Sequence, residues 1–171
     1  YILLPTVHFT SPSCDPLLPA VNIVPKCPES ISESKKNSVI QLLNPEPHQN
    51  VFFSWIAYSE VIKNSFSVKP LNYLLDRKIT LVTGIANSKP LLDYLSSKGL
   101  NFEHYNFEDH HDFSLREIEN LKSKEWILTT EKDFMRLSAH FKDNENIFYL
   151  PIELMIDKSE DFKELIKQTI K

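Results

Sequence analysis

Glycine is almost absent, with only Gly84 and Gly99 in 171 residues, against a usual share of roughly 7%. A loop that wraps phosphates needs several glycines, because the backbone must approach the ligand closely in conformations a Cβ disfavours. Neither GxxxxGK[ST] nor GxGxxG occurs, so if this chain handles a nucleotide, another device holds the phosphates. Cysteine is scarce too. Cys14 and Cys27 form no CxxC pair in a chain with no recognisable secretory signal, which fits reduced thiols in a cytosolic setting and allows one disulfide at most. No apolar run approaches the roughly 18 to 20 residues that span a bilayer, so any lipid contact is expected to be peripheral. Positive charge is not in surplus either: the net charge is -4 and the pI is 5.9, which disfavours nucleic-acid binding except through a local patch.

What is present is a 42% hydrophobic content, enough for one good core or two small ones. The first twenty residues begin with the apolar run YILL and then turn rich in proline and serine, reading as a strand followed by an irregular stretch. VNIV at Val21 to Val24 reads as a buried strand stopped by PKCP, and a helix over Ile31 to Leu43 is predicted from a Ser30/Glu33 capping box and the NPEP stop. VFFSWIAY at Val51 to Tyr58 is a strong aromatic strand. Between Val61 and Asp76 the pattern weakens to a linker or a strand and turn, which divides the chain into segments 1–60 and 61–171. From Lys78 onward strands and helices alternate: KITLVTG, KPLLDYLSSKGL, NFEHYNF, LREIENLKSK, EWILTT, EKDFMRLSAHF, NIFYLPIEL and DKSEDFKELIKQTIK. That order predicts an α/β fold, a mostly parallel sheet with flanking helices and right-handed crossovers. Ser114 with Glu117 predicts a capping box, and Phe113 with Ile118 a hydrophobic staple. Phe162, Leu165, Ile166 and Ile170 give the closing helix an apolar side.

Three segments carry chemistry: TGIAN at Thr83 to Asn87, FEDHHDF at Phe107 to Phe113, and TTEKD at Thr129 to Asp133. Each leaves a predicted strand and enters a predicted helix, so all three are expected at the carboxyl edge of the sheet, where open α/β sheets bind ligands. Asp109, His110, His111 and Asp112 place carboxylates beside imidazoles, a combination suited to proton transfer near neutral pH; acids before a helix N-terminus also have a purely local explanation in the helix dipole. Metal ligation by this cluster with His104 is disfavoured by the absence of a zinc-like spacing. Thr130 and Asp133 suit a helix cap, and Thr130, Glu131, Lys132 and Asp133 also mark a place suited to anions. Gly84 can serve merely to relieve a turn, and Asn87 either caps a helix or orients a substrate. His8, His48 and His140 read as surface or packing residues, and Trp55 as core.

Taken in order, VTGIAN, the FxDHHxF segment, ILTTEKD and YLPIE resemble the carboxy-terminal half of the tetraacyldisaccharide 4'-kinase family, the lipid A 4'-kinases of Gram-negative bacteria. NIVPKCPES resembles that family's strand and TKCP-type turn, PEPHQNVFFSWIAY its linker strand, and YILL with LLPA the end of its nucleotide-binding half. The resemblance covers nearly the whole chain. It implies a P-loop-kinase-like fold whose P-loop portion is not in this sequence, with segment 1–60 a remnant of the nucleotide-binding half plus linker strand and 61–171 a small C-terminal α/β domain. It further implies transfer of the γ-phosphate of ATP, with Mg2+, to the 4'-hydroxyl of a lipid A disaccharide 1-phosphate, by a cytoplasmic enzyme peripheral on the inner face of the inner membrane. The family's DH motif falls on Asp109 and His110, expected as catalytic residues, with His110 supporting a catalytic aspartate of the other domain. Asn87, His111, Thr130, Glu131, Lys132 and Asp133 are expected to bind substrate.

The departures matter as much. The family's Walker lysine and threonine, its magnesium-binding acids and its catalytic aspartate match nothing here and are expected upstream of Tyr1. Pro25 stands where the family has threonine, and a Gly-x-Leu-Arg-Glu stretch expected between Pro19 and Val21 is absent. The chain alone is therefore expected to be inactive. Two other readings compete: a non-catalytic domain that binds lipid or a partner, and a DHH-type metal phosphoesterase suggested by Asp109-His110-His111 alone, which lacks an upstream DxD for a second metal.

Overall fold

The computed structural model describes residues 7–8, 21–142 and 144–169. The expectations for YILL, the proline-rich stretch up to residue 20, the Pro19 to Val21 junction, the side chain of His8, Cys14 and Ile170 lie outside the described residues. The chain divides into two compact units, Tyr1–Ala57 with Glu153–Lys171, and Tyr58–Ile152.

In the first unit, β1 (Val7–His8) pairs antiparallel with β2 (Val21–Val24), which pairs in parallel with β3 (Asn50–Tyr58). Between β2 and β3 lies α1 (Glu33–Leu43). Its N-cap is Ser32, whose hydroxyl accepts from Lys35 N–H, and not Ser30. The cause is a turn closed by Ile31 N–H on the Pro28 carbonyl at 3.1 Å, which occupies Ser30 and leaves Ser32 as the residue with the extended backbone a cap requires. At the other end Asn44 takes the left-handed conformation, φ 45°, just before Pro45. Val24, Cys27 and Phe53 form the core, with Val39, Ile40 and Leu43 packed on it.

In the second unit, β4 (Val61–Lys63) and β5 (Val68–Pro70) form an antiparallel hairpin. The side-chain carbonyl of Asn64 accepts from Phe66 N–H at 2.9 Å and Ser67 N–H at 2.7 Å. The polar residues of this weakly patterned stretch thus build a turn, and a short 3-10 helix after it buries Leu71 and Leu74. Next come β6 (Ile79–Thr83), α2 (Lys89–Ser97), β7 (Phe102–Asn106), α3 (Leu115–Lys122), β8 (Trp126–Thr130), α4 (Glu131–Leu137) and β9 (Ile147–Leu150). The strand order is β5-β4-β9-β8-β6-β7, and β9, β8, β6 and β7 are mutually parallel. This is the parallel α/β sheet that the alternating pattern predicts.

Both faces of that sheet are covered. Leu81, Leu128 and Phe148 share a core with Leu91 and Leu95 of α2, whereas their neighbours Val82, Ile127 and Ile147 share another with Ile118 and Leu121 of α3 and Phe134 and Leu137 of α4. Alternate strand residues point to opposite faces, so a strand buried on both sides is largely apolar, with buried threonines such as Thr80, Thr83 and Thr129 as the polar exceptions here. The predicted capping box of α3 is formed: Ser114 accepts from Glu117 N–H and Glu117 accepts from Ser114 N–H. Phe113 packs against the cluster that contains Ile118, as a staple does. Gly99, with φ 78°, ends α2 while Leu100 N–H returns to the Leu95 carbonyl at 3.2 Å.

NIFYLPIEL, expected as one strand, is split. Pro151 has no N–H to offer a ladder, and the chain leaves β9 there to form β10 (Ile152–Ile156), which lies beside β3 in the first unit's sheet. The closing helix α5 (Ser159–Thr169) follows it, with Phe162 edge-on to Phe52 at 5.1 Å. Residues 153–171 therefore belong with the first unit, where the sequence reading placed all of 61–171 together. Asp157 secures this return: its carboxylate accepts from Phe53 N–H at 2.7 Å and Lys36 at 3.2 Å.

Candidate functional site

The carboxyl ends of β6, β7 and β8 bring the three chemistry-bearing segments together. Phe107 N–H donates to the Thr83 carbonyl at 2.7 Å, and Gly84 N–H donates to the Asp133 carboxylate at 2.8 Å. A Cβ on Gly84 would meet Asp133 Oδ1 at 3.0 Å and the Glu108 carbonyl oxygen at 3.3 Å. Here glycine is required by close approach: the backbone of the first segment touches both of the others.

Glu108 to His111 form a tight turn, closed by His111 N–H on the Glu108 carbonyl at 3.1 Å. His110, its third residue, has φ 65°. Glycine or asparagine ordinarily takes such a position, and a bulkier residue there costs on the order of 1 to 2 kcal/mol. Strain of this kind persists only where surroundings enforce it. The enforcing groups come chiefly from α4. Lys132 forms an ion pair with Asp109, and Arg136 donates to the His111 carbonyl at 2.9 Å. Opposite them, His111 Nε2 lies 3.1 Å from Glu117, the capping residue of α3, and its ring stacks on Phe107 at 4.7 Å.

The result is a turn held at both ends, with the imidazole of His110 74% exposed and its Nε2 3.7 Å from the Asp109 carboxylate. Lys132 holds the Asp109 carboxyl below its usual value, with a smaller contribution from His110, so Asp109 is an anion at neutral pH. The Glu117 carboxyl is lowered by its bonds from Ser114 first and from His111 second.

The remaining predicted residues fall differently. Asp133 is fully buried: besides Gly84 N–H it accepts the Thr130 hydroxyl at 2.7 Å, and its own N–H returns to Thr130 Oγ1 at 3.1 Å. His111 is engaged by Glu117, so the two histidines of DHH divide into one outward and one clamped imidazole. Lys132 lies at the turn and Glu131 is exposed, while Asn87 accepts from Lys89 N–H at 3.2 Å, serving the start of α2. Thr129 donates to the Val82 carbonyl at 2.8 Å and is fully buried. Arg136 and Glu117 were not singled out from sequence as site residues. Arg136 stands four residues after Lys132, on the same helical face, a spacing that points to it; Glu117 showed only its capping role.

His104 sits on β7 with Nε2 2.8 Å from the Thr83 hydroxyl, which donates to Asn106 Oδ1 at 3.1 Å. Among the described residues no three histidine, cysteine or acidic side chains are grouped to hold a metal ion. The chemistry agrees: an ammonium already occupies Asp109, a carboxylate His111 and a hydroxyl His104.

The domain is thus an α/β unit with an exposed imidazole on a left-handed turn at the carboxyl edge of its parallel sheet, the edge at which open α/β sheets bind ligands. The family model described as tetraacyldisaccharide-1-P 4'-kinase matches residues 23–171, and the chain belongs to that family. It is 32% identical over 185 residues to the tetraacyldisaccharide 4'-kinase of Phocaeicola vulgatus, covering 98% of this chain and 50% of that protein. With the same enzyme of Bacteroides thetaiotaomicron it shares 33% identity, covering 82% and 43%, and with that of Flavobacterium johnsoniae 34%, covering 87% and 44%. The chain thus spans about half the length of these relatives. A solved structure of LpxK from Aquifex aeolicus in complex with ATP shares the fold, with a TM-score of 0.51 at 22% identity, over 70% of this chain and 36% of that one.

Proposed function

We propose that this chain is the carboxy-terminal part of a tetraacyldisaccharide 4'-kinase, whose whole protein transfers the γ-phosphate of ATP to the 4'-hydroxyl of a lipid A disaccharide 1-phosphate. The observation that carries this reading is the Asp109–His110 turn, whose sequence resembles the family's DH motif and which is strained, clamped and exposed. In it Asp109, fixed by Lys132, orients the His110 imidazole. His110 supports removal of the hydroxyl proton by the catalytic aspartate that the family carries in its other half. Lys132 and Arg136 hold the turn in place for this role.

The sequence carries no glycine-rich phosphate loop, and among the described residues no group of side chains is placed to hold a metal ion. ATP, magnesium and the phosphate-binding loop are assigned to the half of the family's enzyme that this chain does not match, and the chain by itself is inactive on this reading. The cytoplasmic face of the inner membrane, with peripheral attachment, is the location such a substrate requires. No helix among the described residues is long and apolar enough to cross a membrane. Leu115 and Met135, 74% and 70% exposed, lie on α3 and α4 and suit a lipid substrate.

The test is to incubate a complete protein containing this chain with γ-labelled ATP, magnesium and the disaccharide 1-phosphate. Label is expected at the 4' position; no transfer by a folded complete protein would sink the kinase reading and leave a binding domain as the better one.

A further inference from the structure

We propose that Asp133 is a positioning residue for the Asp109–His110 turn and acts through Gly84. This deepens the kinase reading and rests on it for the catalytic readout alone. Asp133 is completely buried, and two donors, Gly84 N–H at 2.8 Å and the Thr130 hydroxyl at 2.7 Å, converge on one oxygen of its carboxylate. The other oxygen, Oδ1, is buried without a hydrogen-bond partner. A carboxylate kept inside with half of its capacity unmet is a poor device for stability. It is well made for placement, because a short side chain anchored at both the helix cap and a neighbouring strand end cannot swing aside.

What it places is the turn. Gly84 lies between Asp133 Oδ1 and the Glu108 carbonyl, 3.0 and 3.3 Å from where its Cβ would stand. That same carbonyl closes the turn by accepting from His111 N–H. Moving Gly84 therefore moves the turn that carries His110 at φ 65°, while Lys132 and Arg136, on the same helix as Asp133, hold the turn's two ends. Helix α4 is the common reference for all three contacts.

The test uses the complete enzyme with Asp133→Ala, Gly84→Ala, their double variant and Asp133→Asn. The readouts are the His110 ring resonance, assigned against His110→Ala, and kcat with the KM for ATP. Asp133→Ala and Gly84→Ala are each expected to shift the His110 resonance and lower kcat by roughly ten- to a hundredfold, with the KM for ATP little changed. Gly84→Ala should do less harm on the Asp133→Ala background, where its Cβ no longer meets Oδ1. Asp133→Asn, which keeps an acceptor for Gly84, should recover turnover relative to Asp133→Ala. An unmoved His110 resonance in folded Gly84→Ala overturns the proposal, as do strictly additive effects in the double variant. If Asp133→Ala does not fold, the Gly84→Ala and Asp133→Asn resonances decide. Absence of transfer by the wild type would instead overturn the kinase reading and leave the resonance test standing.

Discussion

Three side chains show how local physics is turned toward the site. Burial pushes the His104 imidazole below its usual value. A base whose folded value is depressed lets the unfolded chain bind the extra proton, so stability is full above the unfolded value and declines as pH falls through it. Thermal melts should show stability falling below about pH 6.5, and His104→Gln should flatten that slope; an unchanged slope would contradict the assignment. Asp109 presents the acid counterpart. Its carboxyl is lowered, chiefly by Lys132, so the pairing survives until pH drops below the ordinary carboxylate range. Lys132→Met should barely move the melting temperature, because the pair is exposed, yet reduce turnover of the complete enzyme roughly ten- to a hundredfold by releasing the turn. Equal turnover with and without the ammonium would show that the pair is merely solvated. At this scale the sequence named Asp109, His110 and Lys132 as residue types at a strand end, but it could not tell which histidine points outward. That distinction depends on Glu117, whose capping role was visible and whose second bond, to His111, arises only when the turn folds back over α3.

Ser114 and Glu117 satisfy each other's backbone donors at the start of α3, and a lost N-cap costs about 0.5 to 2 kcal/mol. Ser114→Ala is therefore expected to destabilise the protein by about 1 kcal/mol in denaturant titrations. Leu95 is fully buried beneath α2, and Leu95→Ala should cost about 2 to 5 kcal/mol through lost burial and the cavity left behind; a loss well under 1 kcal/mol would mean that the packing of α2 on the sheet is wrong. The strands β6, β8 and β9 were legible because burial on both faces demands largely apolar runs, and α3 because its cap, staple and periodicity agree. Elements that depend on a neighbour were not. The turn at Pro28 to Ile31 displaced the α1 cap by two residues, Pro151 divided one apolar run between two sheets, and the Asn64 side chain converted a weak segment into a hairpin. In each case one local backbone or side-chain feature outweighed the pattern.

The whole molecule is two compact units, the second, Tyr58–Ile152, inserted in sequence between the two segments of the first. The site lies within the second unit, and the ordered set of motifs that made the family legible, from VTGIAN to TTEKD, lies there as well. Composition had already indicated that phosphate binding is not organised by glycine in this stretch. The fold places the left-handed His110, held by Lys132 and Arg136, at the exposed carboxyl edge of the sheet. The central claim is that the exposed His110 imidazole supports phosphoryl transfer, and steady-state turnover of the complete enzyme with wild-type His110 and with His110→Ala tests it most directly. The account predicts a fall of roughly a hundredfold or more in kcat, with a changed pH dependence and a KM for ATP close to that of the wild type. Wild-type turnover and pH dependence in a folded His110→Ala enzyme would contradict it.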